Sequence, residues 1–534
     1  MRCFSSLGFG ALVFLVSLAG CSGGDDGAAP SDASTDDVTT LPITGDDAAS
    51  PRDGGGAPSQ GSDAGTPTTG NDSGGDDAGT PLMPGTPIDA GPTVAGTITV
   101  DPTTQVGTVP PSFLGLSYEK SQLPTGLFSG SDTALIAMFK LLGPGLLRIG
   151  GNSVDRTEWY TAPTSDGSAA STITTKEVDD LAAFAKASGW KVLYGVDMKL
   201  SSPDIAAAEA KYVTGSLGAS LYGFEIGNEV DLYTSTAESS TWSYSIFKTQ
   251  WASFASAILA SAGASTVLTG PASAANYSTW TVPFAADDGS QIQLLTQHYY
   301  RGNGQSATST LAELMTPDTG LDTELAALNT AATNAKISGG YRLSECNSYY
   351  NGGAPNVSDA YGTAFWLLDF LFQNAEHTCS GINLHGGGDG PGYTPIADDS
   401  NGNVVEARPE YYGALLFALA GQGSVYKTTV TVSGINVTAY AVGASDGSTN
   451  VVVVSKDATN GIDATIDLGK TVAAAGVTYL QGPALDGTTG LSIAEAPVQG
   501  SGAWDRTGPI PLTVSGTKVT VSVPAASAAL IHAK

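Results

Sequence analysis

This chain is short of positive charge. Its 534 residues carry 22 Lys and Arg against 51 Asp and Glu, a net charge of −29. So acidic a protein lacks the basic patches that hold nucleic acid or a sulfated polyanion. Cysteine is scarce as well: there are four, too few to staple a chain of this length. Histidine also occurs four times, without His-x-Glu-x-His spacing or paired cysteines beside it, so no metal and no organic cofactor is indicated. The N-terminal apolar run, Leu7 to Leu18, falls short of the ~20 residues that cross a bilayer as a helix.

What that run does fit is export. Arg2 precedes it, and Leu18-Ala-Gly-Cys21 closes it in the pattern of a bacterial lipoprotein signal, with Cys21 as the lipidated residue. Residues 1–21 are therefore expected to be a signal peptide and the mature chain an outer-membrane lipoprotein, since Ser22 rather than Asp follows the cysteine. From 22 to 94 the composition is Gly, Asp, Ala, Ser, Thr and Pro, with thirteen aspartates against the single base Arg52. Such a segment buries too little apolar surface to offset its ordering entropy and reads as a self-repelling tether. The two remaining cysteines are Cys346, ending one predicted strand, and Cys379, preceding the next parallel one. A strand of about 17–20 Å separates those positions, more than a bridge spans. Both thiols are expected free.

From 95 to 421 short apolar runs alternate with helical stretches. The runs are 113–118, 146–149, 191–196, 221–226, 267–270, 292–296, 341–344 and 381–384. Helical patterns fill the gaps between them, with 276–286 the weakest. Eight strands so arranged predict an α/β fold, a (β/α)₈ barrel. A doubly wound sheet would need a Gly-rich phosphate loop after an early strand, and Arg148-Ile-Gly-Gly-Asn152 is a poor match to one. From 422 to 534 the runs become Val/Thr-rich and are broken by Gly, Asp and Asn, predicting a C-terminal all-β sandwich that residues 97–100 could join.

Two carboxylates stand out against this frame. Glu229 follows Phe224-Glu-Ile-Gly-Asn228 after the fourth strand, and Glu345 ends Tyr341-Arg-Leu-Ser344 on the seventh. A carboxylate at the end of a buried strand is costly unless something uses it. Barrel chemistry gathers at the carboxyl ends of strands, and two facing carboxylates are what glycosidic cleavage requires.

Four segments, Gly115-Leu-Ser-Tyr-Glu119, Leu147-Arg-Ile-Gly-Gly-Asn-Ser153, Phe224-Glu-Ile-Gly-Asn-Glu229 and Glu345-Cys-Asn-Ser-Tyr-Tyr-Asn-Gly-Gly353, resemble in order those of the β-glucuronidases of glycoside hydrolase family 79. These are relatives of heparanase within a large clan of retaining barrel glycosidases. The resemblance implies that Glu229 is the general acid/base and Glu345 the nucleophile, and that Asn228 bonds the sugar 2-hydroxyl. Arg148 is the expected cationic neighbour of Glu345. Of Tyr299 and Tyr300, the expectation falls on Tyr299 to orient the nucleophile or touch the sugar. Glu119 and Asn152 are expected on sugar hydroxyls, while His385 and Asp389 read as loop structure. A uronic acid carboxylate, without a basic patch to receive it, would need hydroxyls and curled backbone amides; Tyr350, Gly352 and Tyr393 are the candidates. The substrate expected is a glucuronic-acid-containing glycan or glucuronide, met by a membrane-anchored monomer that binds no nucleic acid. A neutral-sugar glycosidase (arabinofuranosidase, xylosidase or glucanase) and an inactive carbohydrate-binding lipoprotein remain as alternatives.

Overall fold

A computed structural model describes residues 82–160, 172–233 and 242–534. The signal, Cys21 and most of the tether lie outside those residues. Eight parallel strands close a barrel in chain order: β1 (Gly115–Glu119), β2 (Leu146–Gly150), β3 (Lys191–Val196), β4 (Leu221–Ile226), β5 (Leu268–Ser273), β6 (Leu294–Asn303), β7 (Tyr341–Tyr350) and β8 (Ile382–Gly386). All residues of β2, β5 and β8 are buried, so these strands lack the in-and-out alternation of a sheet with one face in water.

Helices follow each strand: α1 (Thr133–Leu141), α2 (Thr175–Ser188), α3 (Pro203–Leu217), α4 (Tyr244–Ala262), α5 (Thr281–Asp288), α6 (Thr319–Asn334), α7 (Gly362–Glu376) and α8 (Pro409–Ala420). Their ends are written locally. Thr174 and Glu177 form a reciprocal capping box at the start of α2, and Gly189 closes it at φ +80°, a left-handed turn that glycine takes without steric cost. Ser202 accepts from the Ile205 amide, and Pro203 opens α3, where its missing N–H costs nothing. The stretch with the weakest helical pattern does form α5, although it starts at Thr281 rather than at 276.

β7 departs most from expectation. It runs to Tyr350, so Glu345 lies within the strand rather than at its end. Against β6, Leu343 pairs with Gln297 and Glu345 with His298, leaving Ser344 as an extra residue. Such a bulge reverses the alternation of a strand. Arg342, below it, reaches Asn383 and the Phe113 and Ile382 carbonyls on the barrel floor, while Glu345, three residues on, turns to the mouth.

The barrel begins later than residue 95. Strand Thr93–Val109 belongs to the second domain, where it pairs antiparallel with Gly423–Thr431 and parallel with Gly461–Asp467 in an eleven-stranded, curled sheet. The tether stops short of 94 as well, because the Gly85 amide already bonds the Gly508 carbonyl. Val451, Val453, Ile462, Val521 and Ile531 give this domain its own core. Asp369 of α7 ties it to the barrel by accepting from Thr438, Tyr440 and Lys456. Cys346 and Cys379 are both free and buried; the Cys379 thiol bonds near the start of β7, at the Tyr341 and Gly381 carbonyls. No helix among the described residues is long and apolar enough to cross a membrane.

Candidate active site

Arg148 organises the barrel mouth. Its side chain is fully buried on β2 and makes five hydrogen bonds: Nε to Glu225 Oε2 at 2.6 Å, Nη1 to Ser117 Oγ at 3.1 Å and Glu345 Oε2 at 2.7 Å, and Nη2 to Asn228 Oδ1 at 2.8 Å and His298 Nε2 at 3.2 Å. A guanidinium only donates, so the last contact makes Nε2 the accepting nitrogen of His298 and leaves its proton on Nδ1. Nδ1 lies 3.3 Å from Glu229 Oε1, to which it donates. The same logic fixes the Asn228 amide: with Oδ1 on Arg148, its NH₂ faces the open mouth and meets Asn152 Oδ1 at 3.3 Å.

Glu229 and Glu345 therefore share one site. One carboxylate oxygen from each, with a His298 nitrogen, lies within 4.8 Å of the others. Carboxyl groups about 5–5.5 Å apart suit a double displacement, while those that invert through a water stand about 6.5–9.5 Å apart. The same three groups could hold a cation by spacing alone, but the guanidinium already bonded to Glu345 opposes a second positive charge there.

The two acids differ electrostatically. Burial, aided by the charges of Glu345 and Asp231 and opposed by His298, raises the Glu229 carboxyl above its ordinary range. Burial also acts on Glu345, but His385, Arg148 and the Tyr300 hydroxyl outweigh it and hold that carboxyl well below the ordinary range. One acid keeps its proton where the other has lost it, the division of labour that acid-assisted displacement requires.

Tyr300, not Tyr299, reaches Glu345. Its hydroxyl donates to Glu345 Oε1 at 2.8 Å. Tyr299 points out of the barrel, where its ring stacks 5.4 Å from Phe370 and its hydroxyl donates to Asp318 Oδ2 at 2.7 Å. Strand alternation held the signal, since Tyr300 shares a face with His298 two residues before it. His385 is likewise more than loop structure: its ring nitrogens lie 3.7 Å from Glu119 Oε1 and 3.9 Å from Glu345 Oε2. Asp389 does serve the loop, its carbonyl accepting from Arg408. Glu225 was not anticipated; it is a second acid in the same motif, and it faces Arg148 from inside β4.

A cavity of about 420 Å³ opens on the Glu119 side of the pair, lined by Glu119, Gln122, Gly352, His385 and Tyr393 among others, with no Lys or Arg on its wall. Glu119 accepts from the Asn152 and Ser153 amides and from the Ser153 hydroxyl, which leaves the Asn152 side chain to Asn228. Tyr350, Gly352 and Tyr393 come together at one rim. The Tyr300 ring lies 6.4 Å from that of Tyr350 and 5.9 Å from that of Tyr393, and the Tyr393 amide donates to the Gly352 carbonyl at 3.2 Å. Asn351, Gly352 and Gly353 all have positive φ, at 62°, 78° and 91°, curling the backbone there as an anion-binding concavity does.

No family model matches this sequence. A curated β-glucuronidase of Aspergillus niger (strain ATCC MYA-4892 / CBS 513.88 / FGSC A1513) is 28% identical over 119 residues, 22% of this chain and 22% of its own length. The chain thus spans about a fifth of the length of the curated relative it matches. Among solved structures, a 4-O-α-L-rhamnosyl-β-D-glucuronidase from Fusarium oxysporum 12S superposes with a TM-score of 0.67 at 19% identity, over 82% of this chain and 99% of that one. A family 51 α-L-arabinofuranosidase from Bifidobacterium longum gives 0.61 at 16%, over 83% and 100%, and a Paenibacillus polymyxa xyloglucanase gives 0.58 at 13%, over 83% and 100%. The fold is that of barrel glycosidases carrying a β-sandwich.

Proposed function

We propose that this chain is a retaining β-glucuronidase that removes terminal β-D-glucuronic acid by double displacement. The observation that carries the reading is the pair Glu229 and Glu345, with one oxygen of each within 4.8 Å of the other and the two carboxyls pushed in opposite directions from their ordinary range. Glu345, held ionised, attacks the anomeric carbon while Glu229 gives its proton to the departing oxygen. Glu229, now a base, then draws a proton from the water that releases the sugar. Tyr300 and Arg148 orient the attacking carboxylate and keep it charged. The outward NH₂ of Asn228 stands ready for a hydroxyl beside the anomeric centre, and Glu119 and His385 for hydroxyls farther round the ring.

Support for a uronic acid over a neutral sugar comes from the rim. Two tyrosines and a left-handed Gly-Gly turn offer neutral donors to a carboxylate where the cavity wall has no Lys or Arg. The Aspergillus and Fusarium proteins, by their names, act on glucuronides; the arabinofuranosidase neighbours keep a neutral sugar as the second reading. A panel of chromogenic β-glucuronide, β-glucoside, β-xyloside and α-arabinofuranoside decides between them. The glucuronide should be turned over best, and preference for a neutral sugar would remove the rim's assigned role. On the reading of residues 1–21 as a lipoprotein signal, the enzyme works at the cell surface, held by a lipid on Cys21.

A further inference from the structure

We infer that Asp155 is a positioning residue for the general acid, acting through the backbone of the turn that presents Glu229; this rests on the reading of Glu229 as the acid. Asp155 lies in the short helical turn Val154–Arg156 after β2 and is buried. It touches neither catalytic carboxylate. Its Oδ1 accepts from the Met198 amide after β3 at 3.2 Å, and its Oδ2 accepts from the Asn228 amide after β4 at 3.4 Å and from the Tyr233 hydroxyl. Tyr233 Oη itself lies 3.3 Å from the Asn228 nitrogen. One carboxylate thus joins the ends of three consecutive strands and converges, with its tyrosine, on a single amide.

That amide belongs to a turn which does not hold itself. Gly227 has φ +81° and Glu229 φ +49°. A non-glycine residue in the left-handed region costs about 1 kcal/mol or more, so its surroundings must impose the conformation. Each of the turn's three amides is held from outside it. The Gly227 amide bonds the Val196 carbonyl at 2.9 Å, and the Glu229 amide bonds the Ala272 carbonyl at 2.8 Å. The third, between these two, is the Asn228 amide on Asp155 and Tyr233. The first two are backbone pairs that any sequence could make; the third requires a particular side chain. A Cβ at Gly227 would come within 2.9 Å of Tyr233 Oη, so the tyrosine packs directly beneath the turn. Asp197 is the carboxylate beside Asp155 and is itself held by the Lys199 and Leu200 amides. The Asp155 carboxylate therefore works as a peg between strands, placed where a small shift would move the Glu229 proton away from the departing oxygen.

Acid assistance matters in proportion to how poor the leaving group is, which separates misplacement of the acid from general damage. The experiment compares wild type, Asp155→Asn, Tyr233→Phe and Glu229→Ala on dinitrophenyl and phenyl members of whichever aryl glycoside series the wild type turns over. General acids contribute about 10²–10⁴-fold, and misplacing one forfeits part of that, so Asp155→Asn should lose about tenfold to a hundredfold in kcat/KM on the phenyl glycoside. On the dinitrophenyl glycoside the loss should stay within about threefold, because that leaving group departs unaided. Tyr233→Phe, which keeps the ring and drops the hydroxyl, should show the same dependence more weakly, and it carries the test if Asp155→Asn does not fold. An equal loss on both substrates, or none on either, overturns the proposal. If Glu229→Ala itself shows no dependence on the leaving group, the assignment of the acid has failed instead.

Discussion

Replacing Arg148 with methionine separates what this residue does for the fold from what it does for the chemistry. The change removes five hydrogen bonds and leaves Glu225 and Glu345 buried without their cation. Breaking a buried ion pair from one side costs about 3–5 kcal/mol of stability, mostly through the charge left behind. Losing the charge-assisted bond to Glu345 removes about 1.5–3 kcal/mol of support for the ionised nucleophile. At 1.36 kcal/mol per factor of ten, that is roughly tenfold to 150-fold in kcat/KM. Arg148 is one of the groups that hold the Glu345 carboxyl low, so without it that pKa rises and the acid limb of the kcat/KM profile moves to higher pH. Adding Glu225→Gln removes one stranded charge and should restore part of the stability, as chemical denaturation would show, while the acid limb stays displaced. If the limb does not move in a folded Arg148→Met enzyme, or if Glu225→Gln restores the rate, Arg148 is not what keeps Glu345 charged.

Further predictions concern single groups. Glu229→Ala should lose about 10²–10⁴-fold on a phenyl glycoside and recover turnover with azide as a glycosyl azide of retained configuration; absence of that product argues against Glu229 as the acid/base. Tyr300→Phe should lower kcat by about tenfold, the worth of a hydrogen bond to a charged partner, whereas Tyr299→Phe should leave kcat unchanged and lower thermal stability only. Glu410 is buried with Oε1 unpartnered and its carboxyl pushed up to about 8 by burial. An acid raised on folding contributes stability below its unfolded pKa, and this is lost as pH rises through the folded value. Glu410→Gln should therefore raise the melting temperature at pH 8, and the advantage should vanish near pH 4; an equal gain at both would reject the assignment. Cys21→Ser should release the protein from membranes in a fractionation assay, and continued membrane association would discount the lipid anchor.

The barrel was readable because buried parallel strands are mostly apolar, and a carboxylate closing such a run stands out. That logic singled out Glu229 and Glu345 and nominated Arg148 as the cation beside Glu345. It could not foresee the Ser344 bulge, which depends on how β7 meets β6 rather than on either strand's composition. It did point residues 97–100 to the β-domain, but not the full strand Thr93–Val109 or its partners at 423–431 and 461–467, which the whole barrel separates from it in sequence. Tyr299 and Tyr300 are adjacent and alike, and only the direction of His298 decides which faces inward. His385 sits at the head of a Gly-rich loop, where composition suggests flexibility and conceals that β8 continues to Gly386 and fixes the ring against Glu119 and Glu345.

The central claim is that Glu345 bonds covalently to the sugar. Incubation with an activated glycosyl fluoride bearing fluorine beside the anomeric carbon, followed by peptide mass mapping, tests it most directly. One glycosyl adduct is expected, on the peptide containing Glu345; an inactivated enzyme labelled on Glu229 or Glu119 instead, or steady turnover without any adduct, would rule out Glu345 as the nucleophile.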